Sequence, residues 1–134
     1  GLEGAVPGMR GELRLFWATK SDWSDLRQMD WVEVDRSTDF THQFKLTNLQ
    51  PGTKYYVGVK TRPAGDDSGS TTNKVAGSFT TPATPDTWQD VSFSVVTGQA
   101  YKDLDHDDGY HIYPAMARLG LKFIVPTGDT VYYD

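Results

Sequence analysis

The last twelve residues of the chain, 123–134, combine a short apolar run with side chains that can bind a metal ion. They read F-I-V-P-T-G-D-T-V-Y-Y-D. An apolar run such as 123–125 is typical of a strand buried on both faces, as in a parallel sheet. Asp129 follows the expected end of this strand, where α/β enzymes place metal ligands and catalytic groups. If the chain turns there, Tyr132 presents a phenol on the same side as the carboxylate. The alternatives are a turn Asp and a packed aromatic ring.

A polar loop upstream of this stretch supplies further candidate groups. Residues 101–111 read Y-K-D-L-D-H-D-D-G-Y-H. They match a calcium loop only superficially, because Asp108 displaces the glycine and no Glu closes the pattern. We therefore interpret them as a solvated loop. Since the loop runs from a strand end to a helix start, we expect it at the active edge of the sheet. Gln99, His106 and His111 are the candidates there for contact with a substrate.

A strand, a helix and a second strand must position these groups. Residues 91–96 and 121–125 have strand character, and Ile112, Met116 and Leu119 recur at helical spacing between them. This βαβ pattern predicts a right-handed crossover between two parallel strands.

The ends of the predicted helix also carry sequence signals. Asp108 is the predicted N-cap and Gly120 the predicted C′ residue. Pro114 is compatible with the helix if it lies in the first turn, where its missing N–H is tolerated.

One βαβ unit cannot cover both faces of its own strands. We therefore interpret residues 88–134 as the opening of a larger domain that is incomplete here, since about 50 residues seldom fold alone. This interpretation predicts uncovered apolar sheet surface, including parts of Phe93, Val95, Phe123 and Val125.

The preceding residues, 1–81, have the pattern of an all-β unit. Residues 12–18 have a mostly period-two pattern, and Phe44 and Leu46 alternate with polar residues over 43–47. Trp31, Val32 and Val34 indicate a further short strand. The period of two predicts strands that bury one face each.

A turn signal follows at residues 49–55, L-Q-P-G-T-K-Y. Pro-Gly makes the turn, and Tyr55 is placed to bond its hydroxyl back across it, as in the tyrosine corner of immunoglobulin-like sandwiches. The pattern L-x-P-G-T-x-Y resembles the fibronectin type III module. The resemblance implies a β-sandwich over 1–81, and the composition of 82–87 is that of a linker.

Charge and composition exclude several classes of function. The net charge of −5 and the lack of a basic run argue against a nucleic-acid partner. There is no stretch of ~20 apolar residues to span a membrane. The chain has no cysteine, and therefore no disulfide or thiolate ligand. It also lacks a Walker loop, a nucleophile elbow and a dinucleotide fingerprint.

The motif G-D-x-V-Y-Y-D at residues 128–134 resembles the second metal-binding motif of the PhoD-like (alkaline phosphatase D) metallophosphatases. With the fibronectin-like unit before it, the resemblance extends over nearly all of the chain. It implies a metal centre in which Asp129 bridges two ions and Tyr132 binds iron. Many members carry Cys in an S-C-Q motif at the end of the first strand, where this chain has Gly98. No thiolate is available at that metal position.

The resemblance also implies an activity. The family hydrolyses phosphomonoesters and phosphodiesters with metal ions, here expected to be Fe³⁺ with Ca²⁺ or another divalent ion. Its later Asn and His ligands lie beyond residue 134. We therefore expect these 134 residues alone to be inactive and to hold no metal tightly. The expected partners are the phosphoester substrate and the remainder of the phosphatase domain. We expect export to the periplasm or the cell exterior, with the signal outside this sequence.

The predicted fold class is mainly β: an immunoglobulin/fibronectin-like β-sandwich followed by one βαβ unit of a truncated α/β metallophosphatase domain. The alternative function is a non-catalytic binding or adhesion module whose βαβ segment only docks against the sandwich, since a fold does not fix a function.

Overall fold

The computed structural model describes residues 7–66, 68, 73–99 and 104–129. The chain divides into two compact units, Gly1–Asp86 and Thr87–Asp134. We call the first the β module and the second the C-terminal unit. The predicted fold class is confirmed at the level of a mainly β chain with an antiparallel sheet. No helix in the described ranges has the length and the apolar run that a bilayer crossing requires.

The described strands of the β module form one antiparallel sheet. Its order is β2-β1-β4-β5, and β3 also pairs with β1. The strands are β1 Gly11–Ala18, β2 Arg27–Gln28, β3 Val32–Val34, β4 Lys54–Pro63 and β5 Asn73–Thr80, with a 3₁₀ turn at Arg36–Thr38 after β3. The long pairings of β1 with β4 and of β4 with β5 therefore organise this unit.

The two faces of this sheet differ because successive side chains point to opposite sides. Leu15 and Val59 are register partners on one face, which also carries Tyr55. Phe16 pairs with Gly58 on the other face. Leu15 and Tyr55 are buried on the first face, and Phe16 is only 1% exposed on the second. Both faces of the sheet thus contribute to the core.

Tyr55 forms the predicted corner. Its hydroxyl accepts a hydrogen bond from the backbone N–H of Gln50 at 2.9 Å, and its side chain is 5% exposed. Thr81 fixes the same turn, because its hydroxyl accepts from the Thr53 N–H at 2.9 Å and donates to the Gln50 carbonyl at 2.6 Å. Gly52 takes a positive φ of 58° in the turn, a conformation that favours glycine. The structural role predicted for Tyr55 is confirmed.

Phe16 is buried in a notch that Gly58 leaves open. A β-carbon at Gly58 would overlap the Phe16 ring and come within 2.8 Å of the Val75 carbonyl oxygen. Trp23 covers the ring from outside, with ring centroids 5.0 Å apart. The absence of a side chain at Gly58 is therefore a packing requirement.

The strand predicted over residues 43–47 is wrong, since these residues form no ladder with a described strand. Burial nevertheless alternates there, with Phe44 and Leu46 half-buried between exposed neighbours. Apolar residues at every second position determine which side chains are buried. A strand also needs a neighbouring strand with an unpaired edge to which its backbone can hydrogen-bond. Both edges of β1 and of β4 are already paired.

The described strands of the C-terminal unit form a parallel pair. Its elements are β6 Phe93–Val96, α1 Ile112–Arg118 and β7 Phe123–Pro126. The strands pair in parallel, with Phe93 opposite Phe123 and Val95 opposite Val125. The helix lies between them in sequence, as predicted.

The prediction that Asp108 is the N-cap of α1 is wrong. His111 is the N-cap and gives no side-chain cap, while Asp105 accepts the His111 N–H at 2.9 Å. Asp108 lies on the tight turn closed between His106 and Gly109. The loop folds back before the helix begins, so the carboxylate nearest in sequence is not the one that accepts the His111 N–H.

The other helix signals are confirmed. Gly120 follows the C-cap Leu119 with a φ of 63°, as expected for a C′ glycine. Pro114 is the third residue of α1 and thus lies in its first turn.

Apolar surface stays open in the C-terminal unit. Phe93, Val95 and Phe123 are 51%, 59% and 48% exposed, and the two Phe rings stack 5.1 Å apart. On α1 only Met116 is buried, while the two other members of the predicted apolar face are exposed. The sequence-based expectation of uncovered sheet surface is confirmed for Phe93, Val95 and Phe123.

The first prediction concerns the tyrosine corner. Tyr55→Phe should lower the free energy of unfolding of the β module by about 1 kcal/mol or more, because the part-buried hydrogen bond from the Gln50 N–H loses its acceptor. Urea unfolding followed by tryptophan fluorescence measures this. Tyr56→Phe is the matched control, since the Tyr56 hydroxyl makes no hydrogen bond to a described residue. Equal stabilities for the two variants would contradict the role of the corner.

The second prediction concerns the notch at Gly58. Gly58→Ala should destabilise the β module by about 1–3 kcal/mol, because the new methyl group overpacks the Phe16 ring. Gly77→Ala is the control on neighbouring β5, where an added β-carbon meets nothing within 4 Å. Thermal unfolding by circular dichroism should give a lower Tm for the first variant alone. A Gly58→Ala protein as stable as Gly77→Ala would refute the packing argument.

Candidate functional site

The carboxyl ends of β6 and β7 lie side by side. The Thr127 N–H donates to the Val96 carbonyl at 2.9 Å, and the Gln99 N–H donates to the Asp129 carbonyl at 2.8 Å. The parallel pairing thus continues past the strands into both following segments. Gln99 and Asp129 are brought together at the edge where parallel sheets carry their ligands.

Three residues at this edge have positive φ, one after β6 and two consecutive ones after β7. The values are 68° at Gly98, 131° at Gly128 and 53° at Asp129. Asp is among the few residues other than Gly that tolerate this region, because its short side chain can bond locally. Gly98 thus takes a backbone conformation that favours glycine. A β-carbon there would meet nothing within 4 Å, so backbone strain and not space selects glycine.

A cavity of about 500 Å³ lies between the loop before α1 and the first turn of the helix. Its lining includes three of the predicted site residues, Gln99, His106 and His111. Leu104, Asp108, Gly109, Tyr110, Tyr113 and Pro114 complete it. The structure therefore gathers the polar candidates of the loop and the first strand end into one concave surface.

The two histidines contact each other in this cavity. Their ring centroids lie 4.9 Å apart in an edge-to-face arrangement. The Asp108 N–H donates to His106 Nδ1 at 3.1 Å, so a neutral His106 ring carries its proton on Nε2. The Asp108 carboxylate lies 3.7 Å from the same nitrogen. One ring is thus oriented by its own loop, and both are exposed enough to reach a ligand.

Gln99 is oriented by a residue that sequence reasoning missed. The Tyr113 hydroxyl donates a hydrogen bond to Gln99 Oε1. The Gln99 amide N–H₂ group is then the end that can donate to a ligand. Both residues also line a smaller cavity of about 20 Å³ beside Gly98 and Gly128. The sequence signal was weak, since Tyr113 has only the pattern of an aromatic residue in a helix.

Asp129 lies at the edge but not in the lining of the larger cavity. Its side chain is exposed, and its backbone carbonyl holds Gln99. Tyr132, the second predicted ligand, lies outside the described residues.

Of the two predicted metal ligands, only Asp129 lies among the described residues. A carboxylate at a strand end is a hard oxygen ligand, as Fe³⁺ and Ca²⁺ require. Gly98 contributes no donor. Within the part of the chain that the structure describes, no three His, Asp or Glu side chains surround a common point. The described residues do not by themselves make a metal site, and the metal centre stays a prediction.

Comparison with known proteins gives no relative. No protein family, no curated protein and no solved structure matches this chain.

The third prediction concerns the start of α1. Asp105→Ala should weaken the first turn of the helix by about 1 kcal/mol, because the His111 N–H loses its acceptor. Hydrogen exchange of the helix amides should accelerate in this variant. Asp107→Ala is the neighbouring control. Faster exchange in Asp108→Ala than in Asp105→Ala would restore the sequence-based assignment of Asp108.

Proposed function

We propose that this chain contributes to a metal-dependent phosphoester hydrolase of the PhoD-like type. In this proposal the β module is a fibronectin-like sandwich and the C-terminal unit opens the phosphatase domain. The substrates are phosphomonoesters or phosphodiesters. The 134 residues alone are inactive, because ligands from further residues complete the centre.

The observation that carries the proposal is the paired strand ends of β6 and β7. The hydrogen bond from the Gln99 N–H to the Asp129 carbonyl holds the segment after β6 against the segment after β7. Side chains from both segments can therefore belong to one site. Asp129 stands on the second strand end, in the position that the G-D motif requires. This agrees with a catalytic edge of a parallel sheet.

The open apolar surface is a second support. A parallel sheet is normally covered by helices on both faces, yet Phe93, Val95 and Phe123 are about half exposed. Further residues of a larger domain would cover them. The buried hydroxyl bond of Tyr55 agrees in turn with a sandwich in the β module.

The residues of this chain would contribute in distinct ways. A bound metal polarises phosphoryl oxygens and activates water. Asp129 would hold such an ion, and Tyr132 would join it as a phenolate. Gln99 can donate its amide N–H to a phosphoryl oxygen, because Tyr113 takes up its carbonyl oxygen. His106 and His111 would contact the alcohol portion of the substrate from the cavity wall.

The alternative, a non-catalytic binding module, has its own support. The β module has a cavity of about 330 Å³ around the tyrosine corner. Its lining includes Trp17, Arg27, Asn48 and Gln50. Planar polar side chains beside an aromatic ring suit a small polar ligand. Binding without hydrolysis would favour this function.

The fourth prediction tests the hydrolase directly in the complete natural gene product loaded with iron. The protein should hydrolyse p-nitrophenyl phosphate or its bis-ester and show a visible phenolate-to-iron charge-transfer band. Ferric iron holds the phenol deprotonated far below its free pKa of about 10. Tyr132→Phe should abolish the band. Asp129→Asn should lower both iron content and activity, the latter by more than about 100-fold.

Tyr133→Phe is the matched control and should keep both the band and the activity. An iron-loaded, active protein without a visible band would remove Tyr132 from the ligand set, as would a band unchanged in Tyr132→Phe. A folded, metal-loaded protein that hydrolyses neither ester would refute the proposed activity.

A further inference from the structure

We propose that the β module binds oligophosphate through a row of three cations that crosses the sheet. The row consists of Arg14 on β1, Lys60 on β4 and Lys74 on β5, and we call it the cation row. It lies on the face of the sheet opposite Leu15 and Tyr55. The proposal does not depend on the proposed hydrolase, whose residues lie in the C-terminal unit.

Strand register places these three residues in line. Arg14 is the register partner of Lys60, and Lys60 is the register partner of Lys74. Register partners project from the same face, and neighbouring strands lie about 4.8 Å apart. The row therefore extends over about 10 Å across the strands. Like charges directly opposite each other repel, so the arrangement has an electrostatic cost that a bound anion removes.

The cation row has no acidic partner within the part of the chain that the structure describes. Among the described residues, no carboxylate lies within ion-pair distance of Arg14, Lys60 or Lys74. Two residues along β4 from Lys60, Arg62 does have a partner, since it pairs with Glu12 at 2.7 Å. Paired and unpaired cations thus lie within a few residues of each other on the same strands. An anion from solution is thus the available partner for the row.

Aromatic rings hold the cations in place. The Arg14 guanidinium lies 4.6 Å from the Trp31 ring centroid. The Lys60 and Lys74 ammonium groups each lie 5.1 Å from the Phe16 centroid. Cation–π contacts and packing of the lysine stems on the rings restrict these side chains. Less conformational entropy is then lost when a ligand binds.

The chemistry of the row favours phosphate groups. A guanidinium binds phosphate oxygens in a fork, and an ammonium binds them as a point charge. The Arg14 Nε is buried and has no hydrogen-bond partner among the described residues, so in the proposed complex the terminal nitrogens would form the fork. Three cations along about 10 Å match a short, dense anion such as tripolyphosphate. Residues 1–86 carry ten Lys and Arg against eleven Asp and Glu, so the attraction for phosphate depends on the local row and not on the net charge of the unit.

Titration of the full 134-residue chain with sodium tripolyphosphate tests the proposal. Buffer at low ionic strength with a chelator excludes metal-bridged binding. Intrinsic tryptophan fluorescence should change saturably, because Trp31 lies under Arg14 and Trp23 lies 5.3 Å from the Lys74 ammonium group. We expect a Kd of about 0.1–1 mM that weakens with added salt. Orthophosphate should bind at least about tenfold more weakly, since it spans fewer of the cations.

Lys74→Met is the decisive variant, because it removes the charge and keeps an apolar chain over Phe16. Its Kd for tripolyphosphate should rise by about fivefold, while Lys45→Met, an exposed cation outside the sheet, should bind like the wild type. Circular dichroism checks that both variants fold.

Three outcomes would overturn the proposal. One is the absence of a saturable change below about 10 mM tripolyphosphate. Another is an equal loss of affinity in Lys45→Met and Lys74→Met. The third is binding of a glutamate oligopeptide that is as tight as, or tighter than, binding of tripolyphosphate. This result would show that the surface binds anions in general and does not prefer phosphate.

Discussion

The β module depends on the antiparallel pairing of β1 with β4 over eight residues of each strand. This pairing assigns every residue of the two strands to one of two faces, because the side-chain period in a strand is two. A slip of one residue would move Phe16 away from the notch at Gly58 and turn Leu15 toward the charged face. The burial of Phe16 and the register of the sheet therefore stabilise each other.

The same pairing links structure to surface chemistry. Tyr55 is near the start of β4, and its position there lets the hydroxyl reach the Gln50 N–H across the turn. Five residues on, Lys60 faces the opposite side and stands beside Arg14 and Lys74. Strand β4 thus anchors the turn through Tyr55 on one face and contributes Lys60 to the cation row on the other face. The methylene groups of Lys60 and Lys74 pack on Phe16, and their ammonium groups contribute the positive charge of the row.

The C-terminal unit follows a different constraint. A parallel pair cannot be closed by a tight turn, so a long connection must cross from the end of β6 to the start of β7. That connection contains α1 and the loop with both histidines. Its geometry brings the strand ends together at Gln99 and Asp129 and leaves Phe93 and Phe123 about half exposed. The paired strand ends and the uncovered apolar face are two consequences of the same topology.

The sequence by itself determined the features that depend on local chemistry. A mostly alternating pattern predicted β1, and a short apolar cluster predicted β3. The Pro-Gly turn predicted the Tyr55 corner, and the helical spacing with Gly120 predicted α1 and its end. These signals act over a few residues, where backbone preferences and burial decide the outcome.

Only the tertiary structure decided the features that depend on which segments become neighbours. Residues 43–47 have a strand pattern but no ladder with a described strand. Asp105, and not Asp108, accepts the His111 N–H, because the loop folds back before the helix begins. The Tyr113 bond to Gln99 and the alignment of Arg14 with Lys74 join residues far apart in sequence. Hydrogen bonds and charge neighbours of this kind are set by strand register and loop path, which residue types alone do not specify.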